Sequence, residues 1–474
     1  MSETRAQRHV HPSILLVILC TAAFMSTLDM FIVNVGLRSI GTDVHDTSLA
    51  DLSWVLNAYA IVFSALLVPA GRLGDRYGNK RAFLTGLALF TLGSLGCALW
   101  SDLWLIVGLR CLQAVGAAAL IPTSLGLILT AMPAQRRAHS VRIWAVTGSL
   151  GAAAGPAIGG LLVQASWRWI FLLNVPIGGA ALVAAALLVP SLRHGTDTRI
   201  PDLIGGVLLM AAVASLALAL VQGPGWGWTS GRTLAAFVIA VTATVAFVAR
   251  SSRAVSPVID LGLFRNPVFT WANIAMVLLS ISFGTQLLGL VFWLQEGWGW
   301  SAVRTGLGIA PGPVMVSLTG LGLRRWTAKL PVNVAAAIGA MLMGGGGVLI
   351  GDSLTAHPHY ASEILPGWLI IGTGVGLAIP TIIGAASSGL AAHQTSTGSA
   401  VVQMGRQIGS VLGVALLVVV IGSSTITVDK LHQFVHAWWW AGLFALLGLL
   451  SVLAMRPRRP VSVVAPSPEP AAVL

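Results

Sequence analysis

Long apolar segments alternate with short polar segments along almost the whole chain. A helix needs about 20 apolar residues, each rising 1.5 Å, to cross the hydrocarbon core of a bilayer. Because the apolar segments reach this length repeatedly, the pattern predicts an all-α integral membrane protein. The predicted spans, numbered 1 to 14, are residues 13–37, 51–70, 81–100, 103–131, 139–163, 169–190, 202–222, 232–249, 268–294, 304–323, 331–350, 364–388, 398–423 and 434–454.

Composition supports the same class. Of the 474 residues, 56% are hydrophobic and 9% are charged, with a mean hydropathy of +0.86, whereas soluble domains carry about 25% charged residues. The first span is longer than the apolar core of a signal peptide and continues through Asp29 and Asn34 without a convincing cleavage site. Cys20, Cys97 and Cys111 lie in spans, where a thiol behaves as a small apolar group, so we expect neither a disulfide nor a metal site.

Basic residues concentrate in every second connecting segment. If the N-terminus is cytoplasmic, the cytoplasmic segments hold 20 of the 27 Lys and Arg residues and the opposite segments hold five. Lys and Arg accumulate on the cytoplasmic side of short loops. The asymmetry therefore predicts an even number of spans in the cell inner (plasma) membrane, with both termini cytoplasmic. The net charge of +12 follows from this topology, so the bilayer is an expected partner and nucleic acid is not.

A charged, glycine-containing segment joins spans 2 and 3. It reads Gly71-Arg72-Leu73-Gly74-Asp75-Arg76-Tyr77-Gly78-Asn79-Lys80-Arg81, and its five ionic groups predict a tight turn at the membrane surface. The segment resembles the signature loop of the major facilitator superfamily, a large family of gradient-driven solute transporters. A generic basic turn is the alternative. The resemblance implies a gating role for Gly71, Gly74, Asp75, Arg76, Gly78 and Arg81.

A buried acid is the candidate for energy coupling. No G-x-x-x-x-G-K-[ST] phosphate loop surrounds any lysine, so we expect neither ATP hydrolysis of that kind nor a cofactor. A proton-coupled carrier needs a titratable group inside the membrane. Of the 15 acids, only Asp29 lies well inside a span, where a charge costs about 2.5 to 3.5 kcal/mol on insertion scales. We predict that Asp29 carries protons; an Asp that only hydrogen-bonds a neighbouring helix is the alternative.

The surroundings of Asp29 narrow the family. The segment from Leu28 to Leu37 resembles the first-span motif of the fourteen-span drug:proton antiporters, although Arg38 stands where that motif usually has proline. In span 4, Arg110 and Gln113 resemble the same family's proton-transfer motif. Because Arg110 and Asp29 lie at similar depth, we expect them to pair. The pair either switches the protonation of Asp29 or is a structural ion pair that fixes spans 1 and 4.

Span 5 carries a glycine motif. Small residues every four positions let membrane helices approach closely, and a proline removes one backbone hydrogen bond. The pattern G-x-x-x-G-P-x-x-G-G resembles the motif of exporters, and of antiporters in particular, so it favours export over import. Its defining residues are Gly151, Gly155, Pro156, Gly159 and Gly160.

The resemblance implies the major facilitator fold with fourteen transmembrane helices. Residues 13–190 would form an N-terminal six-helix bundle and 251–454 a C-terminal one, with two inserted linker helices in 191–250. Residues 1–12 and 455–474 would form the cytoplasmic N-terminus and tail. In this fold the two halves expose a cavity at the membrane midplane to one side and then to the other.

The signature segment would act as a latch on the cytoplasmic side. Asp75 would accept from the N-terminal amides of span 13, or it would pair with Arg406 or with Arg81. The counterpart segment of the second half, residues 320–329, keeps basic residues but contains no acid. We therefore expect the latch in one half only.

Polar and aromatic residues in spans 1, 2, 4 and 9 are candidates for the cavity wall, with ordinary packing as the alternative. One buried carboxylate predicts neutral or monocationic amphipathic substrates. The candidate residues are Asn34, Trp54, Asn57, Tyr59, Gln113, Phe283, Gln286 and Trp293.

The leading functional prediction is a proton-coupled antiporter, not an enzyme, that exports drugs or antibiotics from the cytoplasm by alternating access. We expect it to act as a monomer. A dedicated exporter of one metabolite, such as an amino acid or a secondary metabolite, is the first alternative. A membrane-embedded enzyme or receptor is the second, although the sequence contains no H-E-x-x-H motif and no cluster of membrane acids.

Overall fold

The computed structural model of the chain describes residues 11–44, 48–190, 202–322, 329–388, 390, 395–421 and 429–455. These residues are almost entirely helical and contain no strand, which confirms the all-α fold class. The membrane helices are α1 Pro12–Asp43, α2 Leu49–Tyr77, α3 Asn79–Leu99, α4 Leu103–Ala131, α5 Ala134–Val163, α6 (Trp169–Leu172 and Asn174–Leu188), α7 Leu203–Trp226, α8 Gly231–Ser251, α9 Pro267–Phe292, α10 (Ala302–Ile309 and Pro311–Gly322), α11 Val332–Ser353, α12 (Tyr360–Glu363 and Leu365–Ser388), α13 Thr395–Ile421 and α14 Asp429–Ala454.

Thirteen of these helices are long and apolar enough, within the described residues, to cross a membrane as one element. The remaining one, α10, corresponds to span 10 and is divided at Ala310. Pro313 has no N–H group, so the carbonyl of Ile309, four residues earlier, loses its helical donor. The indole Nε1 of Trp368 donates to that carbonyl instead, at 2.8 Å. A side chain from α12 thus stabilises the division of α10.

The signature segment is mostly helical, so the predicted turn over residues 71–81 is wrong in extent. Helix α2 continues through Tyr77, and α3 begins at Asn79. The only residue between them is Gly78, whose φ of +102° is accessible to glycine at low cost. Helix α1 likewise continues to Asp43, six residues beyond its predicted end.

The helices pack as two groups that face each other. In the first group α1 packs on α5, and α4 packs on α2 and α3. In the second, α9 packs on α13 and α14, and α11 packs on α12 and α14. The groups meet where α2 contacts α13 and where α5 contacts α10. Helices α7 and α8 pack on each other, and α7 also contacts α2 and α13.

Polar contacts at both membrane surfaces attach the inserted helices α7 and α8. Arg72 on α2 donates to the hydroxyl of Ser256 and to the carbonyl of Pro257, both at 2.8 Å, in the connection that follows α8. At the opposite end of α2, the amide of Gln222 on α7 donates to the Asp51 carboxylate at 2.8 Å. The inserted pair is therefore held against the first half at both ends.

Candidate transport site

A central cavity of about 420 Å³ lies between the two groups of helices. Its wall is mainly apolar and is contributed by α1, α2, α4, α5, α9, α10, α12 and α13. Its lining contains no Asp, Glu, Lys or His among the described residues, and its charged members are Arg110 and Arg406. Its other amide and phenol groups belong to Asn34, Asn57, Tyr59, Gln403 and Gln407.

We define the terminal side as the membrane face at which α1 begins and α14 ends; the far side is the opposite face. On the far side, Arg38 donates to the carbonyl of Gln295. The Gln295 amide donates in return to the carbonyl of Val35 at 3.1 Å. Because these bonds join α1 to the turn that ends α9, they close the far side between the two halves.

Helices α5 and α10 close the far side at a second place. A Cβ built on Gly306 would lie 2.1 Å from the carbonyl oxygen of Pro156, and one on Gly160 would lie 2.5 Å from that of Ala302. Only glycine permits such close backbone contact. In contrast, Ala145 and Ser149 in the terminal half of α5 line the cavity and are exposed. The cavity therefore opens toward the terminal side.

Asp29 and Arg110 form an ion pair that is removed from solvent. The Arg110 guanidinium donates to Oδ2 of Asp29 at 2.5 Å, and the side chains of Arg110 and Asp29 are 1% and 0% exposed, respectively. The Nε of Arg110 donates to the carbonyl of Val55 at 3.1 Å, and the guanidinium lies 4.2 Å from the ring centroid of Tyr59. The structure thus brings together the two residues that the sequence assigned to proton coupling.

Three further side chains complete the environment of the Asp29 carboxylate. Gln113 donates to Oδ1 of Asp29 at 2.7 Å and accepts from Arg110 at 2.7 Å. The same Gln113 amide lies 2.7 Å from the hydroxyl of Ser94 on α3. Asn174 on α6 donates to Oδ1 at 3.1 Å. Every carboxylate oxygen of Asp29 therefore has a donor, as burial of an anion requires.

Sequence reasoning missed Ser94 and Asn174 as members of this cluster. Asn174 is a polar residue inside a predicted span, and that is the signal that could have identified it. Ser94 offers a weaker signal, because a hydroxyl in a membrane helix commonly bonds its own backbone. Gly93, its neighbour, allows α3 to approach α4, since a Cβ there would lie 2.9 Å from the backbone nitrogen of Gln113.

The glycine motif of α5 packs directly against α1. Cβ atoms built on Gly151, Gly155 and Gly159 would lie 2.7 to 2.9 Å from atoms of α1. Gly160 and Pro156 face α10 instead, as described above. The five residues of the motif therefore bring α5 close to both α1 and α10. Asp29 lies on another face of α1, toward α4 and α6.

The predicted cavity residues divide into two groups. Asn34 and Asn57 line the cavity, as do Tyr59 and Phe283. Asn34 also donates to the carbonyl of Met30 at 3.0 Å. Four other candidates are absent from the lining in this structure: Trp54, Gln113, Gln286 and Trp293.

Each of these four residues packs between helices instead. Trp54 on α2 packs against an apolar cluster that includes residues of α7 and α13. Gln286 donates to the carbonyl of Met343 on α11 at 3.2 Å. Trp293 packs edge-on against Phe434 of α14, with ring centroids 5.1 Å apart. Gln113 belongs to the Asp29 cluster. Helix periodicity alone does not indicate which neighbour a polar or aromatic face meets.

The expected latch contacts of Asp75 are not formed among the residues that the structure describes. Its side chain is exposed, and its hydrogen bond within the described residues comes from Asn79 at 3.5 Å. Arg406 lies in the cavity wall and donates to Gln403 at 3.0 Å. Helices α2 and α13 are nevertheless in contact, so what the described residues lack in this state is the specific contact at Asp75. The counterpart segment includes residues 323–328, which lie outside the described residues, so the expected one-sided latch stays a prediction.

The fold and its central cavity, which is open on one side, are those of a multi-pass membrane transporter. The chain belongs to the Major Facilitator Superfamily, whose family model matches residues 19–414. A crystal structure of the peptide transporter POT in complex with sulfate has a TM-score of 0.70 and 15% identity, covering 95% of this chain and 96% of that chain. At this identity the likeness shows the fold alone.

Similar sequences include proteins named for antibiotic resistance and export. The methylenomycin A resistance protein of Streptomyces coelicolor is 32% identical over 97% of this chain and 96% of its own length. The tetracenomycin C resistance and export protein of Streptomyces glaucescens is 33% identical, with 86% and 76% covered. The cephamycin export protein of Amycolatopsis lactamdurans is 33% identical, with 86% and 85% covered. The resemblance to drug-efflux members of the superfamily is confirmed.

Proposed function

We propose that the protein is a proton-coupled antiporter that exports amphipathic drugs or antibiotics from the cytoplasm by alternating access. The observation that carries this proposal is the Asp29–Arg110 pair. It is an ionisable pair buried beside a cavity between two helix groups, and Arg110 is among the residues that line that cavity. The names of the relatives support drugs or antibiotics as the cargo.

Protonation of Asp29 would cancel its attraction for Arg110. Arg110 and Gln113 are both on α4, whereas Asp29 is on α1, so loss of the charge loosens one helix from the other. Asp29 also shares α1 with Val35 and Arg38, which hold the far side closed through Gln295. Proton binding on α1 is therefore mechanically linked to the contact that separates the two faces.

The proposed cycle starts from the state in this structure. A substrate enters from the terminal side, which the distribution of basic residues assigns to the cytoplasm. The halves then rock so that the far-side contacts open, and Asp75 comes within reach of α13 on the terminal side. Since the cavity lies between two groups of helices in one chain, a single copy can complete the cycle.

A susceptibility panel in an efflux-deficient host tests this proposal. Cells that express the wild type should resist several unrelated amphipathic compounds, and cells that express Asp29→Asn at equal membrane abundance should not. Proteoliposomes with an internal pH dye then test the coupling. A compound from the panel should release an imposed pH gradient through the wild type and not through Asp29→Asn. Equal protection by both proteins would refute the coupling role of Asp29.

A dedicated exporter is the second candidate, because each of three relatives is named for one antibiotic. Protection against a single compound in the same panel would favour this candidate. Protection against several unrelated compounds would favour the multidrug exporter. Both outcomes retain the same cavity and coupling pair.

A further inference from the structure

The two arginines of the central cavity differ in their charge balance. Arg110 is paired with Asp29 at 2.5 Å. Arg406 donates to the neutral side chain of Gln403. The ion pairs among the described residues involve Arg110, Arg168 and Arg250, and none involves Arg406. The lining of the cavity therefore carries one uncompensated positive charge.

Arg406 lies deep in the membrane region. It is on α13, a helix of 27 residues that begins at Thr395, so it lies about 16 Å along the helix at 1.5 Å per residue. Intramembrane arginines usually pair with an acid or with backbone carbonyls, because an unpaired charge at this depth is costly. Arg406 lies at this depth in the wall of a cavity and has no acidic partner among the described residues. This arrangement indicates a ligand that supplies the negative charge.

The wall around Arg406 offers further groups that suit an anion. A guanidinium has five N–H donors in a planar fork, and one hydrogen bond to Gln403 uses only part of this capacity. Ser280 on α9 also lines the cavity, and its buried hydroxyl has no hydrogen-bond partner within the described part of the chain. Helix α9 meets α13 close by, since a Cβ on Gly409 would lie 2.7 Å from that of Ser280.

We infer that the cavity binds amphipathic anions, with the carboxylate or other acidic group of the substrate on Arg406 and its apolar body on the surrounding wall. Phe31, Leu56, Phe283 and Ile379 provide that apolar surface. The inference rests on the proposed export function and specifies the charge of its cargo. It replaces the sequence-based expectation of neutral or monocationic substrates, which considered only the acids and assigned Arg406 to the latch.

Binding of three matched dansyl probes to the purified protein in a neutral detergent tests the inference. The probes are N-dansylglycine, its methyl ester and N-dansylethylenediamine, which are respectively anionic, neutral and cationic at pH 7. The wild type should bind dansylglycine most tightly. Arg406→Gln should lower the preference for the carboxylate over the ester about tenfold or more, because a charge-assisted hydrogen bond is lost. Arg406→Lys should retain most of the preference, because it keeps the charge.

A matched control is Arg142→Gln. Arg142 is an exposed residue on α5 outside the cavity lining, so the same substitution there should not change the preference. The size-exclusion profile of each variant shows whether it is folded, and Arg406→Lys keeps the test available if Arg406→Gln is not. Tighter binding of the cationic probe to the wild type would overturn the inference. So would a carboxylate preference that Arg406→Gln leaves unchanged.

An anionic lipid headgroup offers the same chemistry as a substrate carboxylate. The binding measurement is therefore repeated with added phosphatidylglycerol. Displacement of dansylglycine by this lipid at low molar excess would assign Arg406 to lipid and overturn the inference, and persistence of probe binding supports it. Binding is measured without a gradient, so its outcome is separate from that of the susceptibility panel. If the protein binds the anionic probe but does not protect cells, the proposed export function is refuted and the anion site is not.

Discussion

Arg110 lies between Asp29 and the central cavity. Its guanidinium contacts the Asp29 carboxylate at 2.5 Å, and the same side chain lines the cavity, whereas Asp29 is 0% exposed. Of the two members of the pair, Arg110 is therefore the one next to the cavity, although only 1% of its side chain is exposed. Exchange of a proton at Asp29 requires this pair to separate or water to reach it, and in the proposed mechanism this step links the state of the acid to the state of the cavity.

The charge of the pair gives the first prediction. Asp29→Asn leaves Arg110 buried without its ionic partner, and removal of one member of a buried pair typically costs about 3 to 5 kcal/mol. We expect a lower Tm and loss of export. The double variant Asp29→Asn/Arg110→Gln removes both charges, so its Tm should recover without recovery of export. Thermal unfolding of the purified proteins and export from cells measure the two effects separately.

The double variant also distinguishes the two roles that the sequence left open for the pair. If Asp29 and Arg110 only fix α1 to α4, restoration of stability should restore transport as well. Recovery of export in the double variant would therefore show that the pair has only a structural role. Recovery of Tm alone is the expected result.

Gln113 gives the second prediction. Gln113→Leu keeps similar bulk but removes the hydrogen bonds to Asp29, Arg110 and Ser94. Hydrogen bonds to charged groups contribute about 1.5 to 3 kcal/mol, so we expect a clear decrease in Tm and in export. Ser94→Ala is the control, because Ser94 contacts the Gln113 amide and not the carboxylate. An equal loss of export in the two variants would contradict a direct role for Gln113 at Asp29.

The sequence identified Asp29 because a charged residue inside an apolar span is rare and costly, and it identified Arg110 through the resemblance of span 4 to the family's proton-transfer motif. The same signal was weak for Ser94 and Asn174, since neutral polar side chains are tolerated in membrane helices. The order of the helices was also predictable from the apolar segments alone. The continuation of α2 to Tyr77 was not, because charged residues at a membrane surface are compatible with either a helix end or a loop.

Arg406 shows a different limit of sequence reasoning. The sequence shows that Arg406 lies in span 13 and carries a charge. It does not show the partner of Arg406, because the direction of the side chain depends on how the two helix groups pack together. The interpretation as a partner of Asp75 followed from the resemblance of the signature segment. The structure instead places Arg406 in the cavity wall in this state. The apolar periodicity of α13 alone does not indicate in which state of the transport cycle Arg406 would contact Asp75.

Gly306 gives the third prediction, on conformational balance. Gly306→Ala places a methyl group 2.1 Å from the Pro156 carbonyl oxygen, and both sides of this contact are backbone. The far side can then no longer close as in this structure, so we expect fewer molecules with the cavity open to the terminal side. Maleimide labelling of a cysteine at Ser149, an exposed cavity position, should slow in everted vesicles.

The labelling experiment uses protein whose native cysteines are replaced by serine. Gly179→Ala on α6 is the matched control, since a Cβ at Gly179 meets nothing within 4 Å. Its labelling rate should equal that of the parent protein. Unchanged labelling in Gly306→Ala would show that α5 and α10 adjust without changing the balance between the two states.

The bond between Trp368 and α10 gives the last prediction. Trp368→Phe keeps an aromatic ring, which stacks on Phe283 with centroids 6.4 Å apart in the wild type, but it removes the donor to the Ile309 carbonyl. An unsatisfied buried acceptor costs about 1 to 3 kcal/mol, so we expect a lower Tm. Pro313→Ala returns a backbone N–H four residues after Ile309 and should reduce this loss in the double variant. Thermal unfolding of the four proteins gives the coupling energy directly. If the losses of Tm in the two single variants add up in the double variant, the Ile309 carbonyl finds another donor. If Pro313→Ala reduces the loss caused by Trp368→Phe, the indole of Trp368 replaces the helical donor that Pro313 removes.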